Sequence, residues 1–163
     1  MFIRGMIVAL CWICMTLGCG PRPAEDSGAN PAPDADTSSE TNQLSGTYDY
    51  RGDADEGQIV GTLILEFDRG PAVDGAPIRV TGSWELAAEG VVQEIGPQTG
   101  AGQLEGEFHP DGTIRLGLNP GMFDNNVTLA GTLDPSGRSF SGSWDYSNFT
   151  GIVSTGSFDA EKR

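Results

Sequence analysis

A strict alternation of apolar and polar residues runs through the stretch 140–146. Phe140, Gly142, Trp144 and Tyr146 fall on one side of an extended chain, and serine and aspartate fall on the other. In a β-strand successive side chains point to opposite faces, so a period of two residues predicts a strand with one buried face and one solvated face. Related phrases recur at 44–50, 80–86, 129–134 and 154–159.

The whole region from residue 44 onward shows this period and no helical one. Turn residues such as His109-Pro-Asp-Gly112, in which proline and glycine suit a tight hairpin, separate the apolar runs. The pattern predicts eight strands, at 44–50, 58–68, 77–87, 102–109, 112–118, 126–134, 138–146 and 152–160. The segment 88–101 is assigned either to a short extra strand or to a loop that folds over one end of the domain.

Short connections between consecutive strands indicate an all-β antiparallel meander. We expect an eight-stranded up-and-down barrel, with a two-sheet β-sandwich as the alternative. Apolar residues inside and polar residues outside would exclude a membrane pore, in which this polarity is reversed. The residues predicted to point inward are Tyr48, Tyr50, Ile59, Leu63, Leu65, Phe67, Ile78, Val80, Trp84, Leu86, Leu104, Phe108, Ile114, Leu116, Leu118, Val127, Leu129, Leu133, Phe140, Trp144, Tyr146, Ile152 and Phe158.

Glycines recur at the inward positions, two residues before a large side chain in each phrase. Gly82 and Trp84 are one such pair, and Gly142 and Trp144 are another. Two interpretations compete, because glycine weakens a strand interior unless it serves a purpose. Glycine either leaves room for neighbouring rings in a strongly coiled barrel or clears a cavity for a ligand.

The strand count and hairpin order of 44–160 resemble the lipocalin-like, or calycin-type, barrels. The Gly-Ser-Trp and Gly-Thr-Tyr phrases are also similar to avidin-type meanders. The resemblance implies a possible small apolar ligand at one barrel mouth. The aromatic residues that such a pocket would use are Tyr48, Tyr50, Trp84, Trp144 and Tyr146.

The N-terminal residues 1–18 predict a signal peptide. Arg4 precedes an uncharged apolar run, and Gly18 leads to Cys19. This arrangement resembles a bacterial lipoprotein signal, in which the chain is cut before a cysteine that becomes lipidated. The resemblance implies a lipid anchor at Cys19 and a place in the bacterial cell envelope. Ordinary cleavage, giving a periplasmic or secreted protein, is the alternative, because Thr16 and Gly18 also suit it.

Residues 19–43 and 44–163 differ sharply in composition. The first stretch is rich in Pro, Ala, Asp and Ser and has no large apolar residue, so we expect a disordered linker. The second is the predicted barrel domain. All three cysteines lie in the first nineteen residues, so the barrel has no disulfide and must depend on its hydrophobic core.

The formal net charge of −14 argues against nucleic-acid binding, which requires a basic surface. Acidic residues gather at 51–57, where Asp53, Asp55 and Glu56 offer oxygen ligands for a calcium ion or simply form a solvated turn. His109 is the one histidine, so a zinc site or a serine triad lacks its partners.

Three functional hypotheses follow. The first is a non-enzymatic, membrane-tethered lipoprotein, without a cofactor, whose barrel has a structural role or binds an envelope protein. The second is a lipocalin-like carrier of a small apolar ligand. The third is a hydrolase, which we rank last because no catalytic residues can be assigned.

Overall fold

The computed structural model describes residues 43–54, 56–68 and 75–163, and these form a closed eight-stranded antiparallel barrel. The all-β meander is therefore confirmed, and closure rules out the sandwich. The predicted signal peptide, Cys19 and the linker up to residue 42 lie outside the described residues. The strands are β1 (Gly46–Ala54), β2 (Glu56–Phe67), β3 (Ile78–Val91), β4 (Gly100–Phe108), β5 (Thr113–Gly117), β6 (Asn125–Leu133), β7 (Ser139–Asn148) and β8 (Gly151–Lys162).

Each strand pairs with its neighbour in sequence, and β1 pairs with β8 to close the barrel, for example at Tyr50 and Ala160. We call the end where β1 begins the proximal end; it carries the connections 68–77, 109–112 and 134–138. The opposite end, where β1 ends and β2 begins, is the distal end, and it carries the connections 92–99, 118–124 and 149–150. Among the described residues, no helix is long and apolar enough to cross a membrane.

The first hairpin is longer than the sequence pattern predicted. The acidic stretch 51–57 was expected to be a loop, but β1 runs to Ala54 and β2 starts at Glu56, with Ala54 opposite Gly57. Since β3 also continues to Val91, opposite Glu56, the ladder extends the strands beyond their apolar residues.

The predicted inward set is confirmed at almost every position, with Ile78, Phe108 and Tyr146 only partly buried. The prediction that Ile152 points inward is wrong, because its side chain is 67% exposed. Tyr146 pairs with Ser154 but Ser147 pairs with Ile152, so β8 has one extra residue at this bulge. A single extra residue inverts the faces of the strand beyond it, and Ile152 therefore points outward.

The inward glycines lie opposite large residues on neighbouring strands. Trp84 faces Gly102, and Trp144 faces Gly156. A Cβ atom at Gly102 would sit 2.9 Å from the indole of Trp84. At Gly82, Gly106 and other positions a Cβ would instead overlap a backbone carbonyl of the adjacent strand. Neighbouring rings and backbone therefore occupy the space over these glycines, which supports the packing interpretation over the cavity interpretation.

Aromatic rings fill the middle of the barrel. Phe158 stacks on Tyr50 with ring centroids 5.5 Å apart and meets Phe140 edge-on at 4.7 Å. Phe67 and Phe108 make a second edge contact at 5.6 Å near the proximal end. Such pairs add about 0.5–1.5 kcal/mol beyond the burial of their area. The core therefore depends on ring packing as well as on aliphatic burial.

We predict that Gly106→Ala lowers the free energy of unfolding by about 2–3 kcal/mol. The new methyl group would overlap the carbonyl of Arg115, so β4 and β5 would have to separate. The control is Gly117→Ala on β5, where the nearest atom is the Asn126 side-chain amide at 3.3 Å, and where we expect a change within about 0.5 kcal/mol. Urea unfolding measures both values, and equal losses would contradict the packing role.

Candidate functional site

The proximal end is closed by Tyr48, whose side chain is fully buried. Its hydroxyl lies 2.6 Å from the carbonyl oxygen of Leu44 and 2.9 Å from that of Gly137, so one proton serves two acceptors. The ammonium group of Lys162 lies 5.9 Å from the centre of the same ring. These contacts join the start of the barrel to the β6–β7 turn. They also close the proximal end around the Tyr48 side chain.

Burial raises the pKa of Tyr48 to about 12, because the charged phenolate would lose its hydration. Burial, followed by the nearby charge of Asp53, raises the pKa of Tyr50 as well. In the unfolded chain both hydroxyls ionise near their ordinary pKa of about 10. The folded state therefore holds more protons than the unfolded state above that pH, and its stability falls as the pH rises.

The distal end is covered by the connection 92–99, which we call the distal loop. Ile95 is buried against the core, and Gln98 is fully buried and donates from Nε2 to the carbonyl of Ile95 at 2.7 Å. The hydroxyl of Ser154 donates to the carbonyl of Glu94. Of the two predictions for this segment, the loop over a barrel end is confirmed for 92–99, and the extra strand is wrong.

Gly96 allows the distal loop to lie close to the barrel. Its φ of 64° is in the left-handed region, and a Cβ atom there would collide with the ring of Tyr146. Glycine is the residue that accepts both conditions at little cost. The loop is therefore held against β7 by shape as well as by hydrogen bonds.

Two tryptophans pin the distal strand ends from inside. Nε1 of Trp144 donates to the carbonyl of Asp53 at 3.0 Å, which joins β7 to the end of β1. Nε1 of Trp84 donates to the carbonyl of Leu118 at 2.6 Å and lies 3.3 Å from that of Gln103. Buried indole N–H groups need such partners, so the two rings fill the distal end of the core and have a structural role there.

The five aromatic residues predicted to line a ligand pocket do not meet at one mouth. Tyr48 closes the proximal end, whereas Trp84, Trp144 and Tyr146 pack at the distal end. Tyr50 stacks in the core between them. One observation is still consistent with a bound ligand. Oη of Tyr50 and Oε1 of Gln98 are buried without a hydrogen-bond partner among the described residues.

The predicted metal ligands are spread over a hairpin. Asp53 lies on β1 and accepts a hydrogen bond from the Ser157 hydroxyl at 3.0 Å. Glu56 is exposed at the start of β2, and Asp55 lies outside the described residues. In the part of the chain that the structure describes, no group of three His, Cys, Asp or Glu side chains is placed to hold a metal ion.

The only histidine lies on the outer wall. Nε2 of His109 is 3.9 Å from a carboxylate oxygen of Glu107, and Arg79 pairs with Glu105 at 3.1 Å. All four side chains are between 44% and 65% exposed. They line an open groove of about 660 Å³ with Met122 and Phe123. The groove therefore combines charged and apolar side chains.

Large apolar side chains are exposed at the distal end, and sequence patterns missed this grouping. Phe123 is 98% exposed and Phe149 is 86% exposed, each at the tip of a connection. A large apolar residue among Gly, Pro and Asn was the available signal. The exposed set at this end is Val91, Met122, Phe123, Phe149 and Ile152. We call these residues the apolar tips.

Acidic residues are frequent on the β3–β4 hairpin and at the distal end. The stretch 80–114, which contains most of β3, the distal loop and β4, has no lysine or arginine, although Arg79 on β3 and Arg115 on β5 lie directly beside it. Its acidic residues are Glu85, Glu89, Glu94, Glu105, Glu107 and Asp111. The described connections at the distal end also lack lysine and arginine, and they include Asp124. The distal end is therefore apolar at its tips and negatively charged around them.

We predict that stability falls between about pH 10 and pH 12, and that Tyr48→Phe removes about 1.4 kcal/mol per pH unit from that slope. At neutral pH the same variant should lose about 1–2 kcal/mol, because two buried carbonyls lose their donor. Urea unfolding at pH 7, 10, 11 and 12 measures both effects. A Tyr48→Phe slope equal to that of the wild type would contradict a raised pKa at this residue.

A scan against models of known protein families, a search of curated proteins and a search of solved structures found no match for this chain.

Proposed function

We propose that this protein is a non-enzymatic binding module of the bacterial cell envelope, tethered to a membrane by a lipid on Cys19. The barrel presents its distal end to a partner protein. The observation that carries the proposal is the gathering of the apolar tips at one end of a barrel whose other exposed positions are largely polar. Exposed apolar groups concentrated in this way mark interaction sites on soluble domains.

The direction of the tether supports the same function. The described chain begins at Gln43, and Leu44 is held at the proximal end by Tyr48. A tether that starts from this end leaves the opposite end unobstructed. The chain therefore enters the barrel at the end opposite to the apolar tips.

A carrier of a small apolar ligand with one polar group is the second candidate. The unpartnered buried oxygen atoms of Tyr50 and Gln98 favour it, since a polar group of a ligand would satisfy one of them. It ranks second because neighbouring backbone and rings occupy the space over the inward glycines that would have formed the cavity.

Photo-crosslinking in the producing cell tests the interaction. We expect a photoreactive residue at Phe149 to give a discrete product with a partner protein. The same residue at Ile64, which is 41% exposed on the wall of β2, serves as the control and should give none. Equal labelling from both positions, or none from either, would contradict a distal interaction surface.

Lipidation is tested separately, by mass spectrometry of the N-terminal peptide and by membrane fractionation. We expect the peptide that begins at Cys19 to carry acyl chains and the protein to sediment with membranes, because two chains hold a protein there stably. Cys19→Ser should release the protein into the soluble fraction. An unmodified Cys19 peptide from the wild type would remove the tether from the proposal.

A further inference from the structure

The wall of the barrel has a gap on one side of β4. The pairing of β4 with β5 covers only Glu105 to Phe108, whereas the pairing with β3 covers the whole strand from Gly100. β5 ends at Gly117, opposite Glu105. The distal half of β4 therefore has a paired edge towards β3 and an open edge towards β5 within the described residues.

The backbone directions along β4 follow from its hydrogen-bond register. His109 N–H donates to the carbonyl of Thr113 at 2.8 Å, so odd-numbered residues of this strand face β5. Neighbouring residues alternate between the two edges, and Gly102 and Leu104 therefore face β3. Ala101 and Gln103 direct their N–H and C=O groups to the side where β5 has already ended.

The chain after β5 forms hydrogen bonds with β6, within its own turn and with the distal loop, where the Asn119 side chain donates to the carbonyl of Pro97 at 3.5 Å, and none of these bonds uses Ala101 or Gln103. Asn119 N–H donates to the side chain of Asn126 at 3.1 Å, and Met122 N–H donates to the carbonyl of Asn119 at 3.1 Å. On the inner side of the gap, Nε1 of Trp84 lies between the carbonyls of Leu118 and Gln103, so the Gln103 carbonyl already has a donor. The N–H and C=O of Ala101 and the N–H of Gln103 are left on the open edge.

The open edge of β4 lacks the devices that usually protect such edges. Natural proteins place lysine, proline or a bulge there. Here Gly100, Ala101 and Gly102 are small and uncharged, and the register is regular. The groove lined by Met122 and Phe123 extends from Glu105 and Gly117, the last pair before the gap, towards His109, and Arg79 and Arg115 also line it. The open edge therefore meets one end of this groove.

We propose that the open edge of β4 binds an extended segment of the partner protein by strand addition. Main-chain hydrogen bonds to Ala101 and Gln103 would fix the segment, and its apolar side chains would contact Met122 and Phe123. The part of the segment that lies on the open edge is basic, because residues 84–104 of the β3–β4 hairpin include Glu85, Glu89 and Glu94 and neither lysine nor arginine. The same charges disfavour a second copy of this chain and an anionic lipid surface. This inference rests on the proposed function and adds the binding mode to it.

Hydrogen exchange in the full chain carrying Cys19→Ser tests the edge itself. We expect the amides of Ala101 and Gln103 to exchange at least a hundredfold faster than those of Gly102 and Leu104, their neighbours bonded to β3. Equal protection at all four amides would mean that the edge is covered, and the inference would fail.

Binding is tested with a random dodecapeptide display library selected on the same full-length protein. We expect net-positive peptides with alternating apolar residues, and protection of the Ala101 and Gln103 amides in the complex. Ala101→Pro removes one donor from the solvent side of the strand, where proline is tolerated, and should weaken the selected peptides at least tenfold. Ala101→Val keeps that N–H and should stay within twofold of the wild type.

The outcomes separate the inference from the proposed function. Loss of peptide binding in Phe123→Ser without loss in Ala101→Pro would leave a distal interaction surface and reject strand addition. A library that yields no enriched peptide, or peptides that bind both variants as tightly as the wild type, would reject strand addition, whereas the crosslinking from Phe149 still decides the proposed function. Concentration-dependent dimers lost in Ala101→Pro would assign the edge to a second copy and overturn the partner segment.

Discussion

The fold depends on how closely adjacent strands can approach inside a narrow barrel. Eight strands leave an interior only about wide enough for side chains to fill. Large residues can meet there only if their cross-strand neighbours are small, and Trp84 opposite Gly102 and Trp144 opposite Gly156 show the rule. Where no ring covers the glycine, as at Gly106, the backbone of the next strand takes the space. The same glycines therefore allow the barrel to close, allow its strands to coil and leave space for the large side chains of the core.

Because the interior of the barrel is filled, a binding site is to be sought at its two ends and on its outer surface. At the proximal end, the Tyr48 hydroxyl donates to the carbonyls of Leu44 and Gly137 and fixes the turn that contains Gly137. At the distal end the two indoles bond to backbone carbonyls and the distal loop lies over the core. The apolar tips are excluded from this packing. They lie on connections or at strand ends, and their exposure is the feature on which the proposed interaction rests.

Much of the architecture was predictable because period-two patterns report directly on which face of a strand is buried. The pattern predicted the strands, most of the inward set and the loop over the distal end. It failed at Ile152, because one extra residue at the bulge in β8 leaves no mark on composition but inverts the face. It also assigned 51–57 to a loop, because pairing with β2 extends β1 through polar residues to Ala54, beyond the last residue that pairs with β8, Gly52. The predicted aromatic pocket failed for a related reason, since Tyr48 and Trp144 share a face but lie at opposite ends.

The candidate surface was beyond the sequence because it depends on register and strand length. Met122, Phe123 and Phe149 are visible as apolar residues in turns, and their connections lie at the same end because successive strands of a meander alternate in direction. The open edge requires knowing that β5 stops at Gly117 while β4 continues to Gly100. A barrel normally abolishes its edges, and an unpaired stretch survives only where one strand is much shorter than its neighbour. In this chain that mismatch lies on the distal half of the β3–β4 hairpin, where residues 84–104 include Glu85, Glu89 and Glu94 and no lysine or arginine, so hydrogen-bonding capacity and charge both favour a basic extended segment.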